Sequence, residues 1–74
     1  PKRDFIMRNL ALAKAVTGKP GDGLEEARDA CRLRPENPEN WKVLQQVALS
    51  AGNDNEARHA ADQAQKAAAG HSRD

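Results

Sequence analysis

Slid along itself by 34 positions, this 74-residue chain meets its own pattern. Met7 falls on Trp41, Leu10 on Leu44 and Ala13 on Val47. Gly18 falls on Gly52, Ala27 on Ala61 and Ala30 on Ala64. No gap is needed. The register constrains the fold strongly, because a sequence recurring at this period builds one supersecondary unit twice. Here the unit reads as a helix, a glycine turn and a second helix.

Local signals place four helices. Residues 4–17, DFIMRNLALAKAVT, read as the first, with Asp4 as its N-cap. Phe5, Leu12 and Val16 lie near one stripe and Ile6, Leu10 and Ala13 near another. A helix with two apolar sides should meet more than one neighbour. GKPGDG, residues 18–23, ends it, since three glycines and a proline do not continue a helix. Asp22 then opens the second helix and forms with Glu25 the D-x-x-E variant of a capping box. Leu24, Ala27, Ala30, Cys31 and Arg34 fall on its inner side, and Arg32 and Arg34 complement the dipole at its end.

The third helix fits 38–51: Asn37 caps it, Pro38 takes the first position and Gly52 stops it. Trp41, Leu44, Ala48 and Ala51 share one face, with Val43, Val47 and Ser50 beside it. The fourth covers 54–69, opened by an Asn53/Glu56 capping box. Ala57, Ala60, Ala61, Ala64 and Ala68 make its inner stripe, and Asp62 and Lys66 an outer i,i+4 pair. GHSRD, residues 70–74, reads as a frayed tail. No segment has a strand pattern. The fold class expected is therefore all-α, in a single domain: one unit over about 4–37, a second over about 38–69 and a tail over 70–74.

The stretch RPENPENW, 34–41, spells Pro-Glu-Asn twice and reads as a joint rather than a linker. Pro35 stops the second helix, because the residue before a proline resists the helical region. Asn37 and Pro38 start the next helix, and Trp41 locks it one turn later. With Phe5 the only other aromatic, Trp41 is expected to be the chief space-filler, with Trp41→Ala costing about 3–5 kcal/mol.

At these residues the chain resembles the tetratricopeptide repeat family. That pattern has a large residue, Leu three later, a small residue, a turn Gly, two Ala in the second helix and an exit Pro. Trp41, Leu44, Gly52, Ala57 and Ala64 match it in the second repeat; Met7, Leu10, Ala11, Gly18, Ala30 and Pro35 match it in the first. The resemblance spans about residues 4–69. Departures stand at Lys14 and Ala48, where the family usually has tyrosine, at Ala27 and Ala61, where an aromatic is usual, and at Gly23, in place of an alanine. The resemblance implies two tandem helix-turn-helix repeats, four antiparallel helices in an α–α superhelix. The helix pattern alone also suits an unrelated four-helix bundle or another α-solenoid unit.

Little in the sequence points to chemistry. TGKPGDG contains Gly-Lys but not the G-x-x-x-x-G-K-[ST] of a phosphate loop, because Pro20 follows Lys19. Cys31, the lone cysteine, lies on an inner helix side, where cysteine is usually a small hydrophobe. His59 and His71 have no ligand spacing to each other or to it. The carboxylates Glu25, Glu26, Asp29, Glu56 and Asp62 are cap or surface residues by position. No catalytic residue, metal ligand or cofactor is therefore assigned, and no enzyme is expected. The formal charge of +1 argues against a dedicated nucleic-acid binder. No apolar run reaches the ~20 residues of a membrane span. A single cysteine suits a reducing, cytoplasmic setting without requiring one.

What remains is surface. The resemblance implies a groove lined by the first helix of each repeat: Phe5, Arg8, Asn9, Leu12 and Val16 from one, Glu39, Lys42, Val43, Gln46 and Leu49 from the other. Arg8 and Lys42 stand one repeat apart and resemble the basic residues that grip a peptide's terminal carboxylate in some members of the family. Asn9 and Gln46 would add amide hydrogen bonds. The expected partner is a protein or peptide, acidic or carboxylate-ended. The alternatives are a structural or self-associating (homo-oligomeric) segment of a longer repeat array, and an accessory domain of an enzyme.

Overall fold

A computed structural model describes residues 3–72, and every element in them is helical. Helix α1 runs Arg3–Thr17, α2 Leu24–Leu33, α3 Pro38–Ser50 and α4 Asp54–Ser72; a 3-10 turn, Pro20–Gly23, leads into α2. No strand occurs among the described residues, so the class is all-α.

α1 packs on α2 and α3, α2 on α3, and α3 on α4. Among the described residues, no Cα of α4 comes within 8 Å of α1 or α2. A closed four-helix bundle would bring the last helix back onto the first. Here the helices form an open slab, 39 × 28 × 15 Å along its principal axes.

The core is built from small side chains. Ala11, Ala27, Cys31, Leu44, Val47 and Ala60 form its buried centre, with Leu12, Ala15, Leu24, Trp41 and Val43 packed around it. Such residues remove little apolar area each, so cohesion relies on close helix approach. Gly23 shows how close: a Cβ there would lie 2.4 Å from the Ala11 carbonyl oxygen. The absence of a side chain at Gly23 lets the start of α2 press against the backbone of α1.

The second turn follows the sequence closely. Gly52 has φ +77°, the left-handed conformation that glycine adopts without strain. Its N–H bonds to the Leu49 carbonyl at 3.1 Å and that of Asn53 to the Ala48 carbonyl at 2.9 Å. These two bonds close a Schellman motif on the end of α3. At the start of α3, the Asn37 side chain accepts from the Glu39 N–H at 3.0 Å, with Pro38 in the first turn.

Several expectations need correction. Asp4 is not an N-cap; it lies inside α1, buried at 5% exposure. Asp22 does not open α2, whose N-cap is Gly23 without a side-chain bond; the Asp22 carboxylate instead accepts from the Lys19 N–H at 3.4 Å. Asn53 does cap α4, accepting from the Glu56 N–H at 3.2 Å, and the Glu56 carboxylate reaches back to the Asn53 side-chain amide at 3.1 Å rather than to its backbone N–H, while also binding Arg28. α4 continues past 69 through Gly70 to Ser72, so that part of the expected tail is helical; Arg73 and Asp74 lie outside the described residues. Of the two apolar stripes of α1, only Leu12 packs against the core. α1 buries Asp4 and Ala11, and leaves Phe5, Ile6, Leu10 and Val16 exposed.

Trp41 is only half-buried. Its Nε1 donates to the Pro35 carbonyl at 2.7 Å, and its ring meets His59 edge-on at 5.9 Å between centroids. It braces the joint from outside the core. The largest fully buried side chains are Val47 and, unexpectedly, Asn40.

Candidate partner-binding surface

α1 and α3 are held side by side by a polar cluster at their N-terminal ends. Asn40, at 0% exposure, is its centre. Its Nδ2 donates to Asp4 Oδ2 at 3.1 Å and to the carbonyls of Ala30 and Arg34, both at 3.0 Å. Its Oδ1 accepts from Arg8 Nη1 at 2.6 Å. Asp4 Oδ2 also accepts from Asn37 Nδ2 at 3.1 Å, and Arg34 Nε stands 3.7 Å from Asp4 Oδ1. The Asp4 carboxylate thus holds the joint and the first turn of α3, while the Asn40 amide ties in the last carbonyls of α2. Burial alone would raise the pKa of Asp4. The hydrogen bonds from Asn40, Asn37 and the Phe5 N–H, with the charge of Arg34, outweigh burial and hold it below the usual value.

With the N-terminal ends of α1 and α3 latched together, helical periodicity sets out their stripes. On α1, Phe5 and Asn9 are exposed, Leu12 is half-buried and Val16 is 82% exposed. On α3, Glu39, Lys42, Gln46 and Leu49 are exposed and Val43 is half-buried. Leu12 and Val43 pack against the core from the inside. Lys42 Nζ pairs with Glu39 at 3.4 Å, an exposed i,i+3 contact.

Arg8 behaves differently from its repeat partner Lys42. Its side chain is 16% exposed, with Nη1 engaged by Asn40 and, at 3.4 Å, by Asp4. The guanidinium carbon lies 5.5 Å from the centre of the Phe5 ring, within cation–π range. Arg8 therefore works first as a strut between the units, while Lys42 is the cation presented to solvent.

A second surface was not legible in the sequence. Cys31, Pro35, Trp41 and Leu44 floor an open pocket of about 370 Å3, rimmed by Arg28, Arg32, Glu56 and His59. Its rim is internally neutralised. Arg28 makes two bonds of 2.7 Å to the Glu56 carboxylate, bridging α2 and α4, and Arg32 pairs with Asp29. The Arg28 bonds hold the Glu56 carboxyl below its usual pKa despite partial burial. Burial pushes the Cys31 thiol up to about 12, so it remains protonated at neutral pH and is a poor nucleophile. His59 lines the same pocket, yet no hydrogen bond joins it to Cys31.

Among the described residues, no group of three His, Cys, Asp or Glu side chains is placed to hold a metal ion. No helix there is long and apolar enough to cross a membrane. Comparison with family models, curated proteins and solved structures finds no match to this chain.

Proposed function

We propose that the chain is a non-catalytic scaffold for protein–protein interaction: two tetratricopeptide-like hairpins whose first helices, α1 and α3, present a shared face to a peptide or helix of another protein. The observation that carries this reading is how α1 spends its residues. It commits Asp4 and Ala11 to the interior and leaves Phe5 and Val16 in solvent, as α3 leaves Lys42, Gln46 and Leu49. Apolar side chains interspersed with amides and a cation suit an extended or helical peptide, with the apolar groups supplying affinity and the polar ones register.

Arg8 contributes by aligning the two helices, and Lys42 is the residue that would meet an acidic side chain or a terminal carboxylate, a charge-assisted bond. The open order of helices, each unit resting on the next, supports the repeat reading over a closed bundle.

The test is selection of binders from a random peptide display library, followed by affinity measurement against variants. Phe5→Ala and Gln46→Ala are expected to weaken binding about tenfold or more, while His59→Ala leaves it unchanged. Binders insensitive to Phe5, Gln46 and Lys42 but lost on His59→Ala would move the site to the Trp41 pocket and refute the proposal.

A further inference from the structure

The 34-residue register compares the two units at the same edge. In the second unit, Asn40, Leu44 and Val47 are 0%, 3% and 1% exposed; Asn40 is bonded to Asp4, Arg8 and Ala30 of the first unit, and Leu44 and Val47 share a buried cluster with its Ala11, Ala27 and Cys31. Their equivalents in the first unit are Ile6, Leu10 and Ala13, of which Ile6 is 60% and Leu10 42% exposed. Leu33, 44% exposed at the end of α2, continues this uncovered edge, with Met7 beside it in a shallow pocket. The edge therefore carries the apolar character of an interface that is filled one unit later.

The opposite edge has another character. The side of α1 that covers α3 presents Arg8, bonded to Asn40, with Leu12 and Ala15 packed into the core. The equivalents on α3 are Lys42, Gln46 and Leu49, all exposed. Gln65 stands in α4 where α2 has the buried Cys31. The first edge is apolar, whereas the second carries Lys42, Gln46 and Gln65 with a single leucine, Leu49; the chain is therefore one-ended, and a more polar outer face is what the last unit of a stack needs.

We propose that the Ile6–Leu10 edge of α1 docks an α-helical hairpin joined ahead of it, and that the two units seen here form the closing end of the stack. Continuity with the α1–α3 interface identifies the occupant. It offers aliphatic side chains at the positions of Leu12 and Ala15. It lacks the charges of Asp4 and Arg8, because Ile6 stands in place of the amide that donates to Asp4 and accepts from Arg8. A second copy stacked head-to-tail is a poor occupant, since it would press Lys42 and Gln46 against Ile6 and Leu10 and bury unpaired polar groups.

The experiment extends the full chain with a second copy of residues 4–37 ahead of residue 4, carrying Asp4→Ala and Arg8→Leu in the added copy. Thermal unfolding is expected to remain one transition, with Tm raised by about 5 °C or more. Ile6→Glu in the original unit should remove most of that gain, yet shift the 74-residue chain by under about 2 °C, because Ile6 is exposed there. A second extended chain retaining Asp4 and Arg8 in the added copy should gain little. An unchanged Tm, a separate transition for the added hairpin, or indifference of the extended chain to Ile6→Glu would overturn the proposal. A dimer of the unextended chain in sedimentation, dissolved by Ile6→Glu, would assign the edge to a second copy and overturn it too.

Discussion

Replacing Asn40 by alanine should damage this fold more than removing any exposed side chain. Asn40 is fully buried and makes four hydrogen bonds, two of them to the charged groups of Asp4 and Arg8. Each neutral bond contributes about 1 kcal/mol net, and one to an ion about 1.5–3 kcal/mol. The full sum overstates the loss, because the partners keep other bonds. The Ala30 carbonyl still receives Arg34 N–H at 3.1 Å, the Arg34 carbonyl receives Asn37 N–H at 3.2 Å, and Asp4 retains Asn37. A cost of about 3–4 kcal/mol results, against a total stability of roughly 4–10 kcal/mol for a domain of this size. Urea unfolding followed by circular dichroism at neutral pH measures it. Asn9→Ala, on the exposed side of α1, should change stability by less than about 0.5 kcal/mol. The Asp4→Ala, Asn40→Ala double variant should be markedly less destabilised than the two singles added together, because both act on one cluster. Additive effects, or a loss at Asn40 below about 1 kcal/mol, would refute the latch.

Three further outcomes follow from the same packing. Gly23→Ala forces a Cβ to 2.4 Å from the Ala11 carbonyl and should cost about 1–3 kcal/mol, whereas Gly70→Ala, with nothing within 4 Å, should raise stability by a few tenths up to about 1 kcal/mol; equal effects in thermal melts would contradict the close approach. Asp4, Glu26 and Glu56 all have folded pKa values below their ordinary 3.8 and 4.5. The unfolded chain therefore binds protons first on acidification, and Tm should hold above about pH 4.5 and fall below it. Asp4→Asn should make the fall shallower, and a Tm flat down to about pH 3 would count against these pairings. Trp41→Ala should cost about 2–3 kcal/mol, less than for a fully buried tryptophan, because the ring is half-exposed; loss of all cooperative unfolding would show it to be the central space-filler after all.

The helices were legible because their punctuation is chemical: Asn37, Pro38 and Gly52 act where their backbone preferences predict. The polar latch was not. Asp4 and Asn40 sit 36 residues apart, and pattern reading assigns polar residues to caps and surfaces. Only the tertiary approach of α1 and α3 turns them inward. The mirror-image error concerns Phe5, Ile6, Leu10 and Val16. Their spacing marks apolar stripes, but a stripe does not say whether its neighbour lies in the same chain. Of the groove residues named from the repeat resemblance, Asn9, Lys42, Gln46 and Leu49 stand exposed, whereas Arg8 is drawn inward by Asn40. The Trp41 pocket had no local signal, because Cys31, Pro35, Trp41 and His59 come from three helices and a joint.

Amide chemical-shift mapping of a selected peptide on the isotope-labelled chain tests the functional claim most directly. The scaffold account predicts shifts concentrated at Phe5, Asn9 and Leu12 on α1 and at Lys42, Gln46 and Leu49 on α3, with α4 silent. Shifts centred instead on Arg28, Arg32, Trp41 and His59 would contradict it.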